Sequence, residues 1–342
     1  TILGGTVSIT SLTTNAGGST TIQSVTTTGA QIYNDALITN GIYTTTGAGS
    51  AFTANSTTSL AGATSIVTNS GNVLLSGTVD GANTLAINAG TASVTFGTTV
   101  GATTPLTGLT ITSPSIFAHD VTTNGNQLYT GNVTFSSTET TNGGNFTVTG
   151  ITTLGNNVTI STGAGNATMT GNVVGTTAGG QFLVVNSSGL TTFGGQIGTF
   201  LIPIASLTTD AAGTSSFNGS VFTGGPAGTT TLPNIPTITI ADASSGAANL
   251  TLTSTTGGLI SVNNATTSFP GTINTPGGVT IHGSPNPGTT GAPLTFTVTP
   301  GANQMVPLLP RVTIALSLAP QPVGRRRQHS SSLSHSAAVC TQ

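Results

Sequence analysis

Carboxylates, imidazoles and thiols come first, because acid–base, nucleophilic and metal chemistry all need such groups close together. The chain holds six acids, Asp35, Asp80, Asp120, Glu139, Asp210 and Asp242, with four His and one Cys in 342 residues. A glycosidase or polysaccharide lyase on a β-helix needs clustered acids, usually beside Arg or Lys. Asp35 and Asp120 stand near equivalent places in two copies of a repeat, yet the repeat offset parts them by many turns of any stacked fold. Asp120 follows His119, and neighbouring strand residues point to opposite faces, so this pair is not a dyad. His119, and His282 in "TIHGSPNPG", read as corner or turn-flanking residues. No CxxC, HExxH or DxDxDG pattern occurs, the calcium nonapeptide GGxGxDxUx fails, and "GAGNAT" at 163–168 lacks the third Gly of a phosphate loop. Ser is abundant, but no Ser/His/acid arrangement stands above chance. No catalytic residue, cofactor-binding residue or metal ligand is assigned, no cofactor is expected, and the chain reads as a non-enzyme.

The charges narrow the classes further. Lys is absent, and the basic residues are Arg311, Arg325, Arg326 and Arg327, so residues 1–310 carry no positive side chain other than His. A nucleic-acid binder neutralises phosphates with Lys and Arg, and attraction to anionic lipid needs the same residues; neither class fits. Cys340 is the only Cys, so no internal disulfide can form. The apolar runs, such as "FLIPIA" at 200–205, are too short to span a bilayer as a helix. The start "TILGG" reads as an internal fragment or a processed chain. Sequons at Asn132, Asn145, Asn157 and Asn249 follow from a composition rich in Asn, Ser and Thr and carry no weight.

The elements that would position these residues are strands. Thr supplies 75 residues and Gly 48, only 3% of residues are charged, and the mean hydropathy is +0.25. Short runs such as "NVLLSGTV", "TLAIN", "SVTFG" and "NFTVTG" alternate apolar residues with Thr and are bounded by Gly, Asn or Ser, the period of strands. No apolar stripe of helical period is sustained. "VTTTGAQIYNDALI" from Val25 returns as "VTTNGNQLYTGNVTF" from Val121. Leu12 recurs as Leu109 and Leu207, Val25 as Val121 and Val221, and Phe96 as Phe193, giving a super-repeat near 96 residues. The expected fold is all-β: a parallel β-solenoid with about five coils of ~19 residues per super-repeat, aliphatics inside and Thr outside. Tyr33 and Tyr129 would then occupy equivalent places in the stack. Tandem β-sandwiches of ~100 residues are the alternative, although their usual buried Trp or Cys pairs are missing. Asn-Gly and Asp-Gly at Asn40, Asp80, Asn124, Asn142 and Asn218 suit hairpins or solenoid corners equally.

Three regions are expected: a solenoid at 1–225, a Pro-richer diverged β region at 226–310 and a disordered tail at 311–342. Fourteen of the 16 prolines fall after residue 200, and the tail holds every Arg and the only Cys. That tail reads either as a basic anchor for an acidic surface or as translation in a shifted frame.

"SLTTNAGGSTTIQSVTTTGAQIYNDALI" and "LSGTVDGANTLAINAGTASVTFGTTVGATTPLTGLTIT" resemble the β-strand repeats of large bacterial surface and secreted proteins, the filamentous-haemagglutinin-like adhesins and autotransporter passengers. The likeness covers about residues 1–225 and is as much compositional as motif-like. It implies a right-handed β-helical stalk, carried across the outer membrane by a secretion partner and displayed at the cell surface. Its partners would be glycans or proteins of host or neighbouring cells, or a biofilm matrix, with no nucleic acid. Two other functions compete: a carbohydrate-active β-helix enzyme and an ice-binding solenoid. The second needs a regular outward array of Thr-x-Thr, and triplets starting at Thr110, Thr147, Thr168, Thr237, Thr251 and Thr295 keep no fixed spacing, so no regular face is expected.

Overall fold

The computed structural model describes residues 2–199, 201–209, 213–219 and 221–223, and beyond them only short backbone strands between 238 and 316. Every regular element among these residues is a β-strand. All their pairings are parallel and join one stretch of chain to the stretch about twenty residues later. The protein is a parallel β-solenoid of about ten turns. Sandwiches would pair antiparallel strands, so that alternative is excluded.

Each coil has three rungs, one on each of three faces. In the second coil these are 19–22 on face 1, 24–27 on face 2 and Gln31–Tyr33 on face 3; in the third they are 36–39, 41–45 and Phe52–Ala54. Longer strands such as Ala36–Thr45 and Gln127–Phe135 run round a corner and serve two faces. Burial alternates along each rung, so every second side chain enters the lumen. Face 2 stacks Val25, Tyr43, Ile66, Ile87, Ile111, Tyr129, Val148, Met169 and Phe193 in one column, each at most 2% exposed. Each such side chain contributes about 1.5–3 kcal/mol by leaving water, and a single coil cannot bury it without its neighbours. Adjacent residues in the column are 18 (Val25 to Tyr43) to 24 (Ile87 to Ile111) positions apart, so corners differ in length while rungs stay in register.

The super-repeat does not contain a whole number of coils. Leu12 is on face 3 of the first coil, Leu109 on face 2 of the sixth and Leu207 on face 1 of the eleventh. Val25 is on face 2, Val121 on face 1 and Val221 on face 3; Phe96 is on face 3 and Phe193 on face 2. Every anchor recurs fourteen rungs later, four and two-thirds turns, so each copy is rotated by one face. This corrects the expected five coils of ~19 residues. It also corrects the placing of the two tyrosines: Tyr33 stacks with Ala54, Leu75 and Phe96, whereas the column-mate of Tyr129 is Tyr43. They share a local setting, not a place in the stack.

Threonine is not confined to the outside. Thr27, Thr45, Thr68, Thr123, Thr141 and Thr162 are buried. At these corners the chain turns a carbonyl inward, and the threonine hydroxyl donates to it: Thr27 to Gly29 O (2.5 Å), Thr45 to Ser50 O (2.6 Å), Thr68 to Gly71 O (2.5 Å), Thr123 to Gly125 O (2.6 Å), Thr162 to Gly165 O (2.7 Å), and Thr141 to Gly144 O. A valine would leave those carbonyls unsatisfied. The Asn-Gly and Asp-Gly pairs form corners and bends, since no hairpin occurs among the described residues. Gly131 shows why a corner demands glycine: its φ is +128°, and a Cβ there would lie 1.8 Å from Ser113 O.

Beyond Thr223 the ladders continue in backbone strands, Leu207 pairing with Ile238 and then Ile260 and Val279 on face 1, and Val221 with Leu252 on face 3. The rest of the 226–310 region, and the 311–342 tail apart from the strand Ala315–Leu316, lie outside the described residues.

Candidate functional site

The repeated phrase builds one corner twice. Gln31 and Gln127 are fully buried where the chain turns. Gln31 Nε2 donates to Val25 O (3.3 Å), Thr27 Oγ1 (3.4 Å) and Thr44 O (2.9 Å); Gln127 Nε2 donates to Val121 O (3.2 Å), Thr123 Oγ1 (3.4 Å) and Thr140 O (2.9 Å). Each glutamine thereby ties its own coil to the next. Tyr33 donates to Gln31 Oε1 (3.0 Å), and Tyr129 lies 3.2 Å from Gln127 Oε1. Phe52 and Phe146 pack on the two tyrosines at ring-centre distances of 5.3 and 5.8 Å.

The copies part at the residue stacked on the first valine. Val25 pairs with Tyr43, and Val121 with Glu139. Tyr43 donates to Ile22 O (2.5 Å) and accepts from Asn40 N–H (3.2 Å), and burial pushes its hydroxyl up to about 12. Glu139 is fully buried in a column between Val121 and Ile160, with Oε2 3.0 Å from Tyr129 Oη and Oε1 without a hydrogen-bond partner. Burial pushes its carboxyl well above the usual carboxylate range; the Tyr129 hydroxyl opposes this, and the charge of Asp120 adds to it. Tyr129 has one O–H for two acceptors, Glu139 Oε2 and Gln127 Oε1, so both bonds form at once only when Glu139 is protonated and supplies the second proton. Burial, with the nearby Glu139, also raises Tyr129.

The other described acids are dispersed. Asp35, 5% exposed, accepts from Thr14 Oγ1 (2.7 Å) and Thr20 Oγ1 (2.9 Å); burial raises its pKa, but these bonds and its own backbone N–H outweigh that and hold it below the usual value. Asp80 accepts from Thr103 and Thr104 N–H (2.8 and 3.0 Å), and Asp120 from Thr138 N–H (3.0 Å). Asp35 and Asp120 precede the third and seventh coils, about 19 Å apart along the axis at ~4.8 Å per coil. Asp120 and Glu139 lie closer but on opposite sides of one wall, and a glycosidic bond cannot reach the buried member. Asp210 and Asp242, and the side chain of His282, lie outside the described residues.

One pairing had no signal in the sequence. His119 Nδ1 is 2.8 Å from Ser136 Oγ, seventeen residues on, with Phe117 edge-on to the imidazole at 5.2 Å. The coil length makes the two adjacent, and the bond links the sixth coil to the seventh at the surface. Asn132, Asn145 and Asn157 each accept a backbone N–H from the next coil, at Ile151, Asn166 and Phe182 (2.9, 2.9 and 3.2 Å), so these sequon residues are coil-to-coil staples; Asn249 lies outside the described residues.

The Thr-x-Thr triplets are better ordered than their spacing suggests. Thr110, Thr147 and Thr168 share one outward column of face 2, because unequal corners absorb their unequal separations. Thr237 lies outside the described residues. No group of three or more His, Cys, Asp or Glu that could hold a metal occurs among the described residues. No protein-family model, characterised protein or solved structure matches the chain.

Proposed function

We propose that the chain is a structural stalk, or adhesive repeat region, of an extracellular bacterial surface protein, and that it acts without catalysis. The observation that carries this reading is the parallel stacking of rung on rung among the described residues between 2 and 223, with the polar tips of the repeated corner turned inward onto one another. Such a stack transmits force along its axis through backbone bonds and presents similar uncharged rows on every coil. Weak contacts repeated along a rod add up through effective concentration. Glycans or proteins of host or neighbouring cells, or a biofilm matrix, are the fitting partners, and export through an outer-membrane secretion partner follows from the resemblance alone.

The test couples the full chain to beads and measures adhesion to glycans, matrix proteins and whole bacteria. Adhesion that rises steeply with coupling density and survives 1 M salt supports the proposal, since uncharged contacts are not screened. Adhesion abolished by salt, none to any surface, or turnover of a polysaccharide overturns it.

A further inference from the structure

We infer that face 2 of coils six to eleven is a binding face for an uncharged crystalline water lattice, that is, ice. The outward residues there form two columns. The first runs Thr110, Leu128, Thr147, Thr168, Thr192 and Ser216, paired rung to rung. The second begins with Thr112 and Thr130 and continues through Thr149, Thr170, Gly194 and Asn218, whose backbone N–H groups extend the same ladder onto the preceding coil (2.7–3.0 Å). Hydroxyls thus occupy five of six rungs in one column and four of six in the other.

Three observations select the ligand. The hydroxyls of Thr110, Thr112, Thr147, Thr168, Thr170 and Thr192 make no hydrogen bond to the protein among the described residues, in contrast to the inward threonines of the corners; Thr149 Oγ1 accepts from Gly131 N–H (3.2 Å). The face carries no charge: Asp35 and Glu139 are buried, and Asp80 and Asp120 flank face 1. It therefore complements an electroneutral surface and offers nothing to an ionic one. None of the described outward side chains of these rungs is aromatic, so they offer a sugar ring no platform to stack on. The columns repeat at about 4.8 Å from coil to coil and about 6.6 Å between alternate residues of a rung. Each threonine offers a hydroxyl that anchors one water beside a methyl that offers none. The anchored waters recur on a two-dimensional net set by the backbone, and a lattice that is commensurate with it gains bonds to water already ordered. The same face in coils two to five carries Ser24, Ile42, Ser65 and Ala86 in the first column and Thr26, Thr44, Val67 and Asn88 in the second, so hydroxyls fill only half of its positions and make a sparser net.

The experiment observes ice grown in a solution of the full chain and reads crystal shape and the gap between melting and growth temperatures. The expected result is faceted growth with a measurable gap. That gap falls at least fivefold in Thr168→Tyr, falls partly in Thr168→Val, which keeps the shape of the wall and loses one hydroxyl, and is unchanged in Thr153→Tyr, whose site faces outward from face 3 between Thr134 and Val174. Rounded crystals without a gap, equal losses in Thr153→Tyr and Thr168→Tyr, a gap unchanged by Thr168→Tyr, or partition onto crystalline cellulose in place of ice each overturn the inference.

Discussion

In the corner at residues 25–45, Tyr33 leans on Tyr43 and Phe52, with ring centres 6.4 and 5.3 Å away; in the corner at 121–141, Tyr129 leans on Phe135 and Phe146, at 5.1 and 5.8 Å, and bonds a buried acid. The glutamine, its three acceptors and the threonine that closes the turn are the same in both. The third aromatic ring comes from a different face, and Glu139 fills the position of Tyr43. The module therefore tolerates exchange within its lumen as long as each buried polar tip finds a partner. It also works on either pair of faces, because each corner sees only its own coil and the next.

Breaking one copy alone gives the largest effect. Gly131→Ala forces a side chain into a left-handed backbone against Ser113 O and should cost about 4 kcal/mol or more. The aligned residue of the first copy, Asp35, already carries a side chain, and Asp35→Ala should cost only about 2 kcal/mol for its two hydroxyl partners. Urea midpoints of the two variants test the contrast.

Next come the two glutamines. Gln31→Ala strands two carbonyls and the Tyr33 hydroxyl in the lumen, for about 3 kcal/mol, whereas Gln127→Ala strands two carbonyls but leaves the Tyr129 hydroxyl bonded to Glu139, for about 2 kcal/mol. A smaller loss of the denaturant midpoint in Gln127→Ala than in Gln31→Ala would establish that Glu139 holds the tyrosine of the second corner; equal losses would break that contrast.

The acids should titrate in opposite senses. Glu139 has a raised folded pKa, so its stabilising effect is complete below the unfolded value and is lost as pH rises through the folded one, at up to about 1.4 kcal/mol per pH unit. Glu139→Gln should remove this slope and leave the protein more stable than the parent at pH 7, but not at pH 4. Asp35 has a lowered folded pKa, so its contribution is present above the unfolded value and is lost as pH falls through the folded one. Hydrogen exchange read separately at the two corners between pH 3 and 8 measures both slopes. The smallest effect belongs to the surface staples: Asn145→Ala removes one bond to the Asn166 N–H and should lower stability by about 1 kcal/mol.

Much of this was legible in the residues. Alternating Val, Ile and Thr bounded by Gly and Asn specified strands, since side-chain period and turn chemistry are local properties. The recurrence of "VTTTGAQIY" as "VTTNGNQLY" specified a reused corner, and the structure returns the same hydrogen bonds in both copies. Glu139 gave no signal, because its burial depends on Val121 stacking on it from eighteen residues away. The outward column through Thr110, Thr147 and Thr168 was hidden for the same reason.

The amino-acid order by itself determined a strand-forming, stacked and nearly uncharged chain with duplicated corners, because each of those features arises within a few neighbouring residues. Only the tertiary structure decided which residues meet across coils: the four-and-two-thirds-turn offset between copies, the buried acid in the lumen and the hydroxyl rows on face 2. Rung register is set by how much chain each corner consumes, and that length, 18 to 24 residues per turn along face 2, follows from packing the whole coil on its neighbour.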